Sequence, residues 1–120
     1  MTQLPQGYPR RLRLLKADDF SRVFSNRCCR KGHFLHVYAK PNQLPHARLG
    51  MIAAKKIVPT AVARNFARRI IRESFRLSQT QLAASDYVVR VARIILPQQA
   101  VLVREELARL LERAGQCREY

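Results

Sequence analysis

The stretch that decides the fold is AVARNFARRIIRESFR, residues 61–76 of a 120-residue chain. On a helical wheel at about 100° per residue, it separates into an apolar face and a basic face. The apolar face carries Val62, Ala63, Phe66, Ala67, Ile70, Ser74 and Leu77. The basic face carries Arg64, Asn65, Arg68, Arg69, Arg72 and Arg76. Because like charges four residues apart repel each other, the pattern predicts a helix that is anchored by its apolar face and presents a row of phosphate ligands.

Capping signals set the limits of this helix. Thr60 is a favoured N-cap residue, and Pro59 blocks helix continuation backward, so the helix is expected to run to about Gln79. Phe75 lies within the basic arc, where we expect it to pack against a neighbouring element in preference to stacking on a base. The first apolar position after the Arg-Asn pair, Phe66, points towards the core on the wheel.

Other patterns predict the remaining elements and an α+β domain. Residues 16–26 predict a short helix, 33–40 and 48–54 predict strands joined by a hairpin turn at 41–45, and 87–93 predict a third strand. Pro97 opens a last helix that Gly115 ends. Its apolar stripe consists of Val103, Leu107, Leu110, Leu111 and Ala114. We expect one domain over residues 16–115, a flexible basic segment over 1–15 and a tail over 116–120.

The charge of the chain points to a polyanionic partner. There are 23 Lys and Arg against 8 Asp and Glu, a net charge of +15, and residues 1–81 hold 17 of the basic but only 3 of the acidic side chains. Eighteen of the basic residues are Arg, which suits phosphate and can stack on bases. Nucleic acid is the leading partner, and an anionic membrane surface is the second alternative. With no membrane span and no secretory signal pattern, we expect a cytoplasmic protein.

No constellation of residues in the sequence predicts catalysis or metal binding. Two-metal phosphodiester cleavage needs converging carboxylates, whereas the acids here are few and scattered. His33 and His36 fall on opposite sides of a predicted strand, and His46 lies in a turn, so a His-pair nuclease is disfavoured. The three cysteines lack zinc-site spacing, and their odd number argues against a disulfide framework. We therefore expect no catalytic residue and no metal ligand.

The helix and the residues before it resemble a known signature. Lys55-Lys56-Ile57 followed by residues 61–76 is similar to the signature of the bacterial ribonuclease P protein subunit. Further blocks occur in the family's order, and the likeness covers about residues 10–113. These blocks are Arg11-Leu12, Asp19–Phe24, Arg48-Leu49-Gly50, Asp86–Val89 and Ala92-Arg93. Phe66 replaces the second Arg of the family's Arg-Asn-Arg, and Val58-Pro59 stands where the family tends to carry Gly.

The resemblance implies both a fold and a function. The fold is an α+β two-layer sandwich like the second domain of ribosomal protein S5, with a mixed sheet of about four strands, three helices and a left-handed βαβ crossover. The function is that of the protein subunit of the ribonuclease P ribonucleoprotein. It binds the catalytic RNA and the 5′ leader of precursor tRNA, and it assists Mg²⁺-dependent removal of the leader. The RNA carries the chemistry and holds most of the Mg²⁺, with no organic cofactor, membrane or obligate protein partner implied.

The resemblance also assigns residues to two binding surfaces. The surface for the catalytic RNA consists of Lys55, Lys56, Arg64, Asn65, Arg68, Arg69, Arg72 and Arg76. The surface for the leader consists of Lys16, Phe20, Arg22, Phe24, Phe34 and Tyr38. Aromatic faces beside a basic groove hold single strands of any sequence, although Phe20 and Phe24 have equally the spacing of core residues. The alternatives are a ribosomal or ribosome-associated RNA-binding protein of similar fold and a protein-only ribonuclease.

Overall fold

Three α-helices and four strands make up the described part of the chain, as the resemblance implied. The computed structural model describes residues 9–118. In chain order the elements are a 3-10 turn at Arg10–Leu12, α1 (Ala17–Ser25), β1 (Cys29–Lys31), β2 (Leu35–Pro41), β3 (Arg48–Ile52), α2 (Ala61–Ser78), β4 (Ser85–Val91), a 3-10 turn at Pro97–Gln99 and α3 (Ala100–Ala114). The expected α+β class with a mixed four-stranded sheet is therefore confirmed.

The order of the strands in the sheet is β1-β2-β4-β3. The strand β4 is antiparallel to β2 and parallel to β3. The predicted hairpin between the strands at 33–40 and 48–54 is therefore wrong, because β4 inserts between them. Residues 85–89 of β4 are all buried, as expected for a central strand that is covered on both faces. The actual hairpin joins β2 to β1, a strand of three mostly polar residues that no hydrophobic pattern marks.

The helices cover both faces of the sheet unequally. On one face, α2 and α3 pack over the main core, which includes Leu35, Val37, Leu49, Tyr87 and Val89. This is the two-layer sandwich, and α2 also forms the crossover between the parallel strands β3 and β4. The left-handed sense of that crossover stays a prediction from the resemblance. On the other face, the short helix α1 packs over a smaller cluster that contains Val23 and Val88.

The helix α2 is rotated from its predicted orientation by about 50°. Thr60 caps it as expected, since its hydroxyl accepts a hydrogen bond from the Ala63 amide at 3.2 Å. Ile71 and Phe75 are buried, whereas Val62 and Leu77, which were predicted on the apolar face, are 81% and 66% exposed. The bulkier side chains pack inwards and turn these residues of the first and last turns outwards. Phe66 packs against the core, as the wheel predicted.

The ends of the described chain pack more closely than the sequence suggested. Residues 1–8 of the predicted flexible segment lie outside the described residues, but Leu12 and Leu14 are 3% and 5% exposed. The Leu14 amide donates to the Leu49 carbonyl at 3.0 Å, so the domain includes this segment. Near the other end, Cys117 forms a disulfide with Cys28 across a Cα–Cα distance of 6.1 Å. The sequence argument against a disulfide framework is therefore wrong for these two.

A buried carboxylate fastens the β1–β2 loop to α3. The side chain of Glu106 accepts hydrogen bonds from the amides of His33, Phe34 and Leu35 at 2.6, 2.8 and 3.0 Å. A Cβ at Gly32 would collide with this carboxylate, so any larger residue there would displace the Glu106 side chain. These hydrogen bonds fix the position at which β2 begins. The strand β2 in turn places alternate side chains on the opposite face of the sheet.

Replacing this carboxylate should destabilise the whole domain. We expect Glu106→Ala to lower the free energy of unfolding by about 3 kcal/mol, because three amide donors lose an ionised acceptor. The neighbouring Glu105 is exposed, so Glu105→Ala should change stability by less than about 0.5 kcal/mol. Urea denaturation of both variants measures the difference, and equal midpoints would show that the three hydrogen bonds contribute nothing.

Candidate nucleic-acid interface

The first candidate surface is a row of arginines along the outer side of α2. Arg68, Arg72 and Arg76 follow one another at four-residue spacing. None of the three forms an ion pair with a carboxylate of residues 9–118. Asn65 is exposed beside them. We call Asn65, Arg68, Arg72 and Arg76 the arginine ridge. Its positive charge is uncompensated, which is the arrangement that attracts a phosphate backbone.

Two arginines predicted for this surface have partners within the protein. The Arg64 guanidinium donates to the carbonyls of Val58 and Pro59 at 3.0 and 2.9 Å. Since Val58 is fully buried, Arg64 holds the Val58-Pro59 loop against the start of the helix. Arg69 donates to Glu73 at 3.2 Å. This hydrogen bond, together with the charges of Arg69 and Arg104, holds the pKa of Glu73 below its usual value.

The remaining predicted residues of this surface lie before the helix. Lys55 and Lys56 are exposed in the turn that follows β3. Neither ammonium group donates a hydrogen bond to an acceptor among the described residues. They extend the basic surface beyond the N-terminus of α2, at the end of the sheet where β3 stops. Of the predicted set, Arg64 and Arg69 are partly occupied by partners within the protein.

The second candidate surface lies on the opposite face of the sheet, along one flank of α1. The rings of Phe24 and Tyr38 meet edge to face with centroids 4.8 Å apart. Phe24 is 37% exposed, so part of its ring is open to solvent. Phe20 lies one turn earlier over Gly50, where a Cβ would come within 2.6 Å of the ring. Glycine at this position therefore allows α1 to approach β3, and the three aromatic rings share one flank of the helix.

The other predicted leader residues are not brought to this flank. Phe34 is 6% exposed and packs in the main core on the other side of the sheet. Phe34 precedes β2 and does not follow the side-chain alternation of that strand, because its amide donates a hydrogen bond to Glu106. Arg22 forms an ion pair with Asp19 on the opposite flank of α1. Lys16 precedes α1 and lines a cavity with Asp19 and Arg48. The predicted grouping of these three residues with Phe20, Phe24 and Tyr38 is therefore wrong.

Three polar residues complete the aromatic flank in their place. Strand register sets Lys31 beside His36, and His36 beside Arg90. Side chains two residues apart on a strand share a face, so this row lies next to Tyr38. The alternation of side chains along β2 predicts that His36 and Tyr38 share a face. The positions of Lys31 and Arg90 beside them depend on strand pairing, which the sequence pattern did not predict. We call Phe20, Phe24, Tyr38, Lys31, His36 and Arg90 together the aromatic groove.

The aromatic groove contains buried polar atoms that lack protein partners. His36 Nδ1 and Arg90 Nε are both enclosed and form no hydrogen bond with the described residues. Burial, followed by the charges of Arg90 and Lys31, lowers the pKa of His36. Burial, followed by the neighbouring Cys29, raises the pKa of the Tyr38 phenol. Near neutral pH the groove therefore presents a neutral imidazole and a protonated phenol between two cations, which suits hydrogen bonding to bases and phosphates.

The described part of the chain offers neither a metal site nor a membrane span. No group of three His, Cys, Asp or Glu side chains lies close enough together within residues 9–118 to hold a metal ion. Over the same residues, no helix has the length and apolar composition needed to cross a bilayer. The two candidate surfaces are instead basic and aromatic, which are the properties that recognise nucleic acid.

Comparison with known proteins agrees with this interpretation. Residues 8–115 match the family described as Ribonuclease P. The chain is 43% identical over 106 residues to the ribonuclease P protein component of Chromobacterium violaceum, covering 88% of each chain. It is 41% identical over 110 residues to that of Vibrio cholerae, covering 92% of this chain and 90% of the other.

Solved structures extend the similarity to the fold. The RNase P protein of Staphylococcus aureus matches with a TM-score of 0.75 and 28% identity, over 86% of this chain and 94% of that one. The protein from Thermotoga maritima matches with a TM-score of 0.70 and 26% identity, over 84% and 96%.

Fold and surfaces together define an α+β RNA-binding protein. The matches are more specific. The chain belongs to the ribonuclease P family, as a protein component of this tRNA-processing ribonucleoprotein, and its partner is the ribonuclease P RNA.

The environment of His36 predicts its titration. We expect an NMR midpoint below 6.5, the ordinary value, because burial and the cations of the groove disfavour the imidazolium. Lys31→Gln should move the midpoint upwards. Since the unfolded chain binds this proton more readily, the contribution of His36 to stability should decrease as pH falls below about 6.5. A midpoint at or above 6.5 would contradict the described surroundings of the ring.

Proposed function

We propose that this protein binds the ribonuclease P RNA through the arginine ridge, and that it binds the 5′ leader of precursor tRNA in the aromatic groove. The RNA subunit then hydrolyses the phosphodiester at the mature 5′ end of the tRNA. The protein's part is to neutralise phosphate charge and to raise the affinity for substrates that carry a leader. Its expected location is the cytoplasm, where bacterial precursor tRNA is transcribed.

The observation that carries this proposal is the separation of two binding chemistries on opposite faces of one sheet. The arginine ridge has guanidinium groups without exposed aromatic rings, which favours the phosphate backbone of a folded RNA. The aromatic groove combines rings with cations, which favours a single strand whose bases are free to stack. A protein with both surfaces can hold a structured RNA and an unpaired leader at the same time.

The proposal assigns the chemical step to RNA. Three of the carboxylates among the described residues are engaged by the protein itself: Asp86 binds Arg48, Glu106 binds backbone amides, and Glu73 binds Arg69. Mg²⁺ supplies nucleophile activation and charge neutralisation in phosphodiester hydrolysis, and in this proposal the ions are held mainly by the RNA. The chain's own residues bind and orient the two polynucleotides.

A reconstitution experiment tests this division of labour. Precursor tRNA is incubated with Mg²⁺ and the purified protein, the ribonuclease P RNA, or both. We expect cleavage at the mature 5′ end with RNA alone at high Mg²⁺, efficient cleavage at low Mg²⁺ only with both, and none with protein alone. Cleavage by RNA-free protein would establish the protein-only alternative and overturn the proposal.

The arginine ridge should make RNA binding depend on salt. Each phosphate contact contributes roughly 0.7 to 0.9 to the slope of log affinity against log salt concentration. We expect Arg72→Ala to weaken binding to the ribonuclease P RNA and to reduce the slope by about that amount. Arg109→Ala makes the same charge change at an exposed position of α3 and serves as the matched control. Identical slopes for the two variants would count against the ridge.

The aromatic groove should affect only substrates that carry a leader. Stacking contributes about 1 to 3 kcal/mol per base, so Phe24→Ala should weaken holoenzyme binding of precursor tRNA by roughly 5- to 150-fold. Binding of mature tRNA should change little. The matched control is Leu44→Ala, because Leu44 is also 37% exposed but lies in the β2–β3 loop. Equal losses for precursor and mature tRNA would exclude leader contact.

A further inference from the structure

The opposite flank of α1 carries a second groove, in which Lys16 and Arg22 of the predicted leader surface lie apart from the aromatic rings. The helix lies above the row formed by Tyr38, Val88 and Gly50. The aromatic groove follows the row on one side of it. On the other side, strand register aligns Lys40, Asp86 and Arg48, with side chains on the same face of the sheet. Thus α1 divides this face into two grooves of different composition.

Two cavities occupy this second flank. One, of about 430 Å³, lies at the start of α1 and is lined by Arg10, Arg11, Arg13, Lys16 and Arg48, with Leu15 and Asp19. The other, of about 400 Å³, lies further along α1 and includes Arg22 and Lys40, with Asp18 as its acid. We call the surface that the two cavities form together the basic groove. Seven cations and two carboxylates line it.

Two acids near the basic groove, Asp86 and Asp19, are paired with its cations. The Arg48 guanidinium donates two hydrogen bonds to the Asp86 carboxylate, at 2.8 and 2.7 Å. Its Nη2 also lies 4.0 Å from Asp19. The hydrogen bond to Asp86 raises the pKa of Arg48. Asp19 is also paired with Arg22. Arg10, Arg11 and Lys16 are exposed and form no ion pair with a carboxylate of residues 9–118. Their charge is therefore available to a ligand.

The cations at the mouth of the groove are held in position by the fold. Leu12 and Leu14 alternate with the basic residues and are buried against the sheet. The Leu14 amide donates a hydrogen bond to the Leu49 carbonyl, and Arg13 forms an isolated parallel β-bridge with Leu49 of β3. Because the backbone is anchored at alternate residues, the charged side chains extend from a fixed edge. Such preorganisation lowers the entropic cost of binding.

We propose that the basic groove is a second docking surface for the ribonuclease P RNA, which contacts the phosphates of a folded segment of that RNA. The inference rests on the proposed function. No aromatic side chain is among the described residues that line the two cavities. The groove therefore favours contact with the phosphate backbone of RNA over the base stacking that a single strand requires. The arginine ridge lies on the other face of the sheet, so the RNA contacts the protein from two sides.

The test compares charge-matched variants for two ligands. Arg10→Ala/Arg11→Ala removes two exposed cations of the groove, and Arg109→Ala/Arg113→Ala removes two exposed cations of α3. Affinity for the ribonuclease P RNA is measured at several salt concentrations. The preference of the assembled holoenzyme for precursor over mature tRNA is measured at saturating protein. Urea denaturation verifies that each variant is folded.

We expect the groove variant to bind the RNA about tenfold more weakly, with a reduced salt slope, and to keep its preference for precursor tRNA. The α3 variant should resemble the wild type. Unchanged RNA affinity, when Arg72→Ala does weaken binding, would overturn this inference and leave the proposed function intact. A loss confined to precursor tRNA would overturn it in favour of the leader as ligand. If Arg72→Ala is also without effect, the proposed docking itself fails.

Discussion

Burial of one side of α2 is the constraint on which the rest of the interface depends. Ala67, Ile70, Ile71 and Phe75 are almost completely removed from solvent against the sheet and α3. Their burial, at roughly 25 cal/mol per Å² of apolar surface, must outweigh the repulsion among arginines spaced four residues apart. Because the packed side chains fix the rotation of the helix, they also fix the direction of its guanidinium groups. The RNA-binding surface is therefore a consequence of core packing.

The position of α1 has a comparable effect on the other face of the sheet. Gly50 admits the Phe20 ring, and the Asn26 side chain donates to the Ala39 carbonyl at 3.0 Å, which ties the end of the helix to β2. The helix thus lies across the sheet and leaves exposed strands on both sides. Its aromatic residues face one groove and its ion-paired residues face the other. One short helix therefore separates base-stacking chemistry from phosphate-binding chemistry.

Local patterns in the sequence predicted the elements better than their arrangement. The limits of α2 and the apolar stripe of α3 were predictable because capping and helical periodicity are local properties. The pairing of β4 between β2 and β3 was not, because the choice of a neighbouring strand depends on burial across the whole domain. The short strand β1 carries no periodic signal, and its place follows from the loop that Glu106 holds.

The candidate site shows the same division between local and distant information. The wheel placed Phe66 correctly, since the inward direction of a mid-helix residue follows from its own helix. It misplaced Val62 and Leu77, which lie in the end turns where packing differs. The assignment of Arg22 and Phe34 to the leader surface failed because their partners, Asp19 and the core around α3, decide where they point. Arg90 and Lys31 became visible only through strand register.

Site-specific crosslinking tests most directly whether packing of α2 aims its arginines at RNA. A photoreactive amino acid is introduced in place of Arg72 on the arginine ridge or in place of Arg109 on α3, and each protein is assembled with the ribonuclease P RNA and irradiated. We expect an RNA crosslink from position 72 at one defined region of the RNA and none from position 109. Crosslinks from position 109 but not from position 72 would contradict it.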